Sequence, residues 1–302
     1  MNLRFQNVLA LAAMLLPEAT LLAAGPPCEA AILYRSGSEA YEEALAGIRE
    51  TVPATSCTVH IIDLGNSAYE KWLVGHGPEL KLTVAIGIGT YQQVMAANPG
   101  IPVIPAIVLR EDLKPDLNRA GAVYADVPLA TTLESLRGLF PSRLRVALIH
   151  RPSHGLPDAA ALARIRHLGY ELRVVDCAGP EKLLSVFSSL KGSTDFVIAE
   201  PDPDLYNNAT IKPLVLASLQ QRLPILGFSA TFVRAGALAG VYPDFKDLGR
   251  QTGELLVRLL ENKSQGQRTE VEVREVVVTV NERVSRLLGV EPVRRQGVQV
   301  MK

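Results

Sequence analysis

The sequence predicts an α/β protein made of two doubly wound parallel-sheet lobes. Short apolar runs alternate with stretches of helical periodicity from residue 30 onward. This order restarts near residue 127, so a second α/β series follows the first. A chain of 302 residues that is 48% apolar can bury two cores of roughly 130 residues each.

The first series begins with "AAILYRS" (residues 30–36), a strand ending in a polar turn. "SEAYEEALAGIRETV" (38–52) follows with Tyr41, Leu45 and Ile48 at helical spacing and Ser38 as a suitable N-cap. "CTVHIIDL" (57–64) is the second strand, with a weaker helix around "AYEKWLVGHG". "LTVAIGIGT" (82–90) is the third strand, "YQQVMAAN" the next helix and "IPVIPAIVL" (101–109) the fourth strand. In the second series, "VPLATTLESLRGLF" (127–140) is a helix stopped by Pro141. Strand "RVALIHR", a helix closed by Gly169, strand "YELRVVDC", helix "PEKLLSVFSSLKG" and strand "TDFVIAE" succeed it. Helix "NNATIKPLVLASLQQR" and strand "LPILGFS" (223–229) complete the alternation. Beyond a Gly-rich turn region, "DFKDLGRQTGELLVRLLEN" (244–262) is an amphipathic helix. "EVEVREVVVTV" then reads as one strand with alternating Val, before a short helix from about Asn281.

The charges balance, with 31 basic and 31 acidic side chains, and no basic run exceeds a pair, so a nucleic-acid partner is not indicated. Arg4 precedes the apolar run "VLALAAMLL", and "ATLLAAG" ends in small residues, which reads as a secretory signal over residues 1–25. Pro17 and Glu18 interrupt it, and an N-terminal helix of an unexported protein is the alternative. The expectation is an exported, periplasmic protein, soluble after signal removal, with no later membrane span. Cys28, Cys57 and Cys177 form no CxxC pair, which disfavours zinc. Cys28 and Cys57 precede two strands that are neighbours in a doubly wound sheet, so a disulfide between them is expected. Three buried thiols are the competing reading.

Ligands of open parallel sheets bind beyond the carboxyl ends of the strands. Those ends carry Ser36 and Ser38, Thr90 and Tyr91, His150, Asp202 and Asp204, and Ser229. Hydroxyls and helix N-termini suit a carboxylate, and Asp202 or Asp204 suits an ammonium, so an amino-acid-like zwitterion fits. Ser38 and Asp204 also read simply as helix caps. "GIGT" is half of a dinucleotide fingerprint, and no GxSxG, HExxH or Walker loop is present. Neither an enzyme nor a cofactor is expected.

"LPILGFSATFVRAGALAGVYPDFKDLGRQTGELLVRLLEN" (223–262) resembles a segment of the ABC-transporter substrate-binding proteins of the tryptophan/tyrosine-binding type. "IGIGT", "LFPSRLRVALIHRP", "EPDPDLYN" and "VVVTVNERVSRLLGV" resemble other family segments in the same order. The resemblance implies a type I periplasmic-binding-protein fold with a three-segment hinge. Lobe I would be 29–125 plus 241–268, and lobe II 126–240 plus 269–302. "GALAGVYPD" would be one hinge crossing, placing Tyr242 beside the ligand. The implied ligand-binding residues are Ser36, Ser38, Thr90, Tyr91, Asp202, Ser229 and Tyr242. Tyr91 stands where the family carries a small residue, so it would partly fill the pocket. The implied function is capture of a small ligand for delivery to an ABC permease. A sensor or scaffold with the same fold and an altered cleft is the alternative.

Overall fold

A computed structural model describes residues 28–65, 69–76, 79–97, 100–114, 119–261 and 268–302. The expected signal segment lies outside them. Two sheets, each with helices on both faces, make the two lobes.

The first sheet collects β1 (Glu29–Tyr34), β2 (Thr58–Asp63), β3 (Leu80–Ile86), β4 (Val103–Val108) and β5 (Gly121–Tyr124) in the order β2-β1-β3-β4-β5, all parallel. Strands buried on both faces read as continuous apolar runs, and every residue of β4 is buried. Helices α1 (Glu39–Thr51), α2 (Tyr69–His76) and α3 (Ile88–Ala97) are the connections.

The second sheet repeats this order with β6 (Arg145–His150), β7 (Glu171–Asp176), β8 (Phe196–Ile198), β9 (Ile225–Gly227) and β10 (Ala239–Pro243) as β7-β6-β8-β9-β10. Its helices are α4 (Leu129–Arg137), α5 (Ala159–His167), α6 (Leu183–Ser189), α7 (Ile211–Gln221) and α8 (Ala230–Ala235). After β10 the chain returns to the first lobe as α9 (Phe245–Leu260) and β11 (Thr269–Val271), which pairs with β5. It then re-enters the second sheet as β12 (Val276–Asn281), antiparallel to β10. Helix α10 (Glu282–Leu288) and β13 (Val298–Met301), parallel to β12, finish the fold.

Three segments therefore cross between lobes: β5 to α4, β10 to α9, and β11 to β12. The last two are tied together by the Asp244 N–H donating to the Glu275 carbonyl at 2.9 Å. Arg274 in the third crossing holds Asp247 of α9 at 2.6 Å, and its N–H donates to Gln251 Oε1. The expected single strand over 270–280 is thus two strands in two sheets. Alternating Val marks a sheet face but not which sheet receives it. "GALAGVYPD" also departs from expectation. Its residues 239–243 form a strand inside the second sheet, and the crossing follows at Asp244. Gly240 is required there because a Cβ would stand 2.6 Å from Val233 Cγ2 of α8.

Helices α1 and α9 cross at backbone contact where Gly47 and Gly249 meet the opposite helix. A Cβ on Gly47 would collide with the Lys246 carbonyl oxygen, and one on Gly249 with that of Ala44. The backbones meet, and Leu45, Ile48, Leu255 and Leu256 are pressed onto the sheet. Cys28 and Cys57 form a disulfide joining the chain just ahead of β1 and β2, and Cys177 is a buried free thiol.

Candidate functional site

The carboxyl ends of the two sheets face one another, so the site is a cleft between lobes. On the first lobe, β1 ends in a turn through Gly37 (φ +96°) that delivers Ser38 as the N-cap of α1. Ser38 makes no side-chain capping bond, so its hydroxyl and the first N–H groups of α1 remain available to a ligand. Ser36 lies beside this turn, its N–H donating to Asp63 Oδ1 at 3.2 Å. On the second lobe, Ser229 caps α8 by accepting from the Phe232 N–H at 3.1 Å.

Ser38, Ser229 and Tyr242 line one cavity of about 840 Å³, together with Glu39, Thr231 and Arg234. The Tyr242 hydroxyl is paired with Thr279 Oγ1 at 2.7 Å, which fixes the ring. Arg234 and Glu39 approach to 3.6 Å from opposite lobes.

Thr90 and Tyr91 are not in this cavity. Helix α3 starts at Ile88, earlier than the sequence suggests, because Gly87 (φ +83°) turns the chain directly after β3. Thr90 is buried, and Tyr91 packs into the core with Leu33 and Val94. Tyr91 therefore fills the interior of the first lobe.

Asp202 is buried at 4% exposure, but its charge is already satisfied. Arg151 Nε donates to it at 2.8 Å, and its other oxygen accepts from the Asp204 and Leu205 N–H groups at 2.9 and 3.2 Å. It fixes the turn after β8 and anchors Arg151. Arg151 also donates to Asp204 and to His154 Nε2. With Nε2 accepting, the His154 proton sits on Nδ1, which reaches Glu111 Oε2 of the first lobe at 2.8 Å.

Residues that sequence reasoning did not single out complete the cleft. Glu111 follows an irregularity in β4, where Ile107 adopts φ +57°, a rare conformation for a β-branched residue that bends the strand end. Burial pushes the Glu111 carboxyl up to about 7, assisted by Asp112, Asp202 and Asp126. Burial also pushes Glu200 up to about 7, with Glu111 and Asp126 adding to it. Glu200 lines a smaller hinge cavity of about 30 Å³ with Ala125, Val127, Phe228 and Pro243. The sequence offered one signal for Glu200: a charged residue at the end of an apolar strand. Among the described residues no group of three His, Cys, Asp or Glu side chains is arranged to hold a metal ion.

The fold is shared with known proteins. A ligand-free, open substrate-binding protein with adhesive properties from Clostridium difficile superposes with a TM-score of 0.68 at 17% identity, covering 91% of this chain and 99% of that one. An ABC domain in complex with L-Trp from Streptococcus pneumonia gives 0.59 at 17% identity, covering 91% of this chain and 100% of that one. In sequence, a tyrosine-binding protein of Clostridioides difficile (strain R20291) is 23% identical over 236 residues, 73% of this chain. That match spans 66% of the relative's own length. The family model described as ABC transporter substrate binding protein matches residues 67–295, which takes in the second lobe and the first lobe from α2 onward and leaves β1, α1 and β2 outside it. The two-lobed type I periplasmic-binding-protein architecture and that match agree: the chain belongs to the ABC transporter substrate-binding protein family.

Proposed function

We propose that this chain is an exported binding protein that captures a small amino-acid-like ligand between its lobes and delivers it to an ABC permease. One observation carries the reading: the cavity of about 840 Å³ that both lobes line, with the open N-terminus of α1 on one side and Ser229, Thr231 and Arg234 on the other. Uncapped helix N–H groups and a guanidinium attract a carboxylate. Closure of the lobes would surround the ligand and present a surface for the permease. The tyrosine-binding relative and the L-Trp-bound fold neighbour support an aromatic amino acid as cargo.

Thermal melting against an amino-acid panel tests the reading. A ligand at one hundred times its dissociation constant adds about 2.7 kcal/mol of stability. An upward shift with one ligand class, lost in Ser38→Ala with Arg234→Ala, is the expected result. Failure of every amino acid to shift the melt would sink it. A second reading, a sensor or scaffold with an altered cleft, draws on one observation. The expected ligand carboxylate, Asp202, is occupied by Arg151. A silent panel would favour that reading.

A further inference from the structure

The inter-lobe cavity has an arm that belongs to the second lobe alone. Helix α8 has six residues and packs on β9, β10 and β12. The edge strand β13 lies beyond them in the sheet. Its residues Gln299 and Met301, two apart on one face, line the cavity together with Val277 of β12. Val298, on the other face of β13, packs against the core. The family model ends at residue 295, so this strand of the arm lies outside the family match.

A short relay of hydrogen bonds fixes what the arm offers. Thr279, the register partner of Gln299, donates its single hydroxyl proton to Gln299 Oε1 at 3.3 Å. The Tyr242 hydroxyl is then the donor in its 2.7 Å contact with Thr279 Oγ1. The Gln299 carbonyl is thereby engaged, and no described residue accepts from its Nε2, which is left to donate to a ligand. Val277 and Met301 supply apolar surface beside it, and a thioether adapts to irregular shapes. Arg234, with Thr231 Oγ1 accepting from it at 3.0 Å, is the cation this lobe contributes to the cavity.

Size and closure separate the arm from the seat of a free amino acid. Small-molecule sites enclose roughly 300–1,000 Å³, and the 840 Å³ here stands near the top of that range. Closing the lobes as rigid bodies narrows the gap between α1 and α8. It does not shrink the arm, because Arg234, Val277, Gln299 and Met301 move together with the second lobe. A hydrocarbon extension of the ligand would cover the Gln299 amide without pairing it, and a charged one would be set against Val277 and Met301. An extension that carries both an amide and an apolar side chain satisfies all three. We propose that the arm holds a second residue, so that the ligand class extends to dipeptides: the peptide carbonyl accepts from Gln299 Nε2, and an apolar side chain lies on Val277 and Met301. This rests on the reading of the inter-lobe cavity as a ligand site, and it adds the length and chemistry of what that site takes.

Titration calorimetry on the full protein with three probes tests this: L-tyrosine, L-tyrosyl-L-valine and L-valyl-L-tyrosine. Both orders are used because the arm calls for a second residue on either end of the first. At least one dipeptide should bind about 10- to 100-fold tighter than L-tyrosine, the factor that burying one more aliphatic side chain supplies. Gln299→Trp fills the arm and should bring the ratio of dipeptide to tyrosine affinity down to about one. Gln299→Ala keeps the room but removes the amide donor, and should lower that ratio about 2- to 10-fold. L-tyrosine bound as tightly as both dipeptides, or a ratio that Gln299→Trp leaves untouched, overturns the arm as a subsite while leaving the amino-acid cleft in place. A wild-type protein that binds none of the three removes the cleft reading itself, and this inference with it. If Gln299→Trp does not fold, the three ligands on the wild type and the ratio in Gln299→Ala decide.

Discussion

His154 Nδ1 and Glu111 Oε2 meet at 2.8 Å across the cleft, one residue from each lobe. Arg151 pins the imidazole from behind through Nε2, so the contact joins a fixed ring to the loop after β4. Together with Arg234 and Glu39 it bridges the lobes at a second place. His154→Ala should loosen the ligand-free lobes. An exposed or half-exposed pair contributes about 0.2–1 kcal/mol, which changes the open-to-closed ratio by about 1.4- to 5-fold. Small-angle scattering should show a larger radius of gyration in the variant. An unchanged radius would mean the bridge does not hold the lobes.

Stability should depend on pH through the buried acids. Glu200 is raised from 4.5 to about 7 in the folded state. Between these values the folded protein holds a proton that the unfolded chain has released, so stability falls as pH rises through that window. Glu200→Gln should thus be more stable than wild type at pH 8, by up to about 3 kcal/mol, with the difference vanishing near pH 4.5. Urea midpoints across pH provide the measurement, and a difference that grows toward acid would reverse the sign argued here.

The α1–α9 contact should tolerate no added methyl. Gly249→Ala forces a Cβ into the Ala44 backbone, which only separation of the helices relieves. A loss of about 3 kcal/mol or more is expected, at the upper end for overpacking because backbone must move. Chemical denaturation should show it, and a loss below 1 kcal/mol would show that the helices part easily.

Asp202→Asn should act on the second lobe's stability. It removes the charge paired with Arg151 inside a nearly buried site, and truncating one member of a buried pair costs about 3–5 kcal/mol. Asn keeps an oxygen for the Asp204 and Leu205 N–H groups, so about half that loss is expected, read as a lower melting temperature.

The Cys28–Cys57 bridge closes a loop of 29 residues and should contribute about 3 kcal/mol. Denatured, unreduced protein should titrate one thiol, Cys177. Cys57→Ser should lower the melting temperature of oxidised protein and leave reduced protein unaffected.

Much of the fold was legible because buried parallel strands and amphipathic helices carry strong periodicities. The restart near residue 127 also marked the second lobe. Legibility failed where elements were short or changed partners. Gly121–Tyr124 and Val298–Met301 are four-residue strands whose pairing partners, β11 and β12, lie far off or run in a different register of signals. Helix α8 has six residues between glycine and serine punctuation, so it reads as a turn. The structure places Ser38, Ser229 and Tyr242 around one cavity, and their positions were legible because strand ends and caps are visible in sequence. Tyr91 was misplaced by a helix start that shifted three residues, turning it from rim to core. Asp202 was legible as a carboxylate but not as one neutralised by Arg151, since that pairing spans 51 positions.

The chain has a single tryptophan, and Trp72 stacks on His76 in α2 with ring centroids 4.4 Å apart and planes 6° from parallel. Among the described residues, none of α2 lines either the inter-lobe or the hinge cavity. Intrinsic indole emission from this protein is therefore a gauge of the first lobe's outer edge, where the rings of His60 and His76 pack around Trp72. A cargo without an indole, such as tyrosine, would leave this emitter outside the cleft, so a change in its signal on binding would report movement transmitted to the first lobe's edge rather than contact with the ligand.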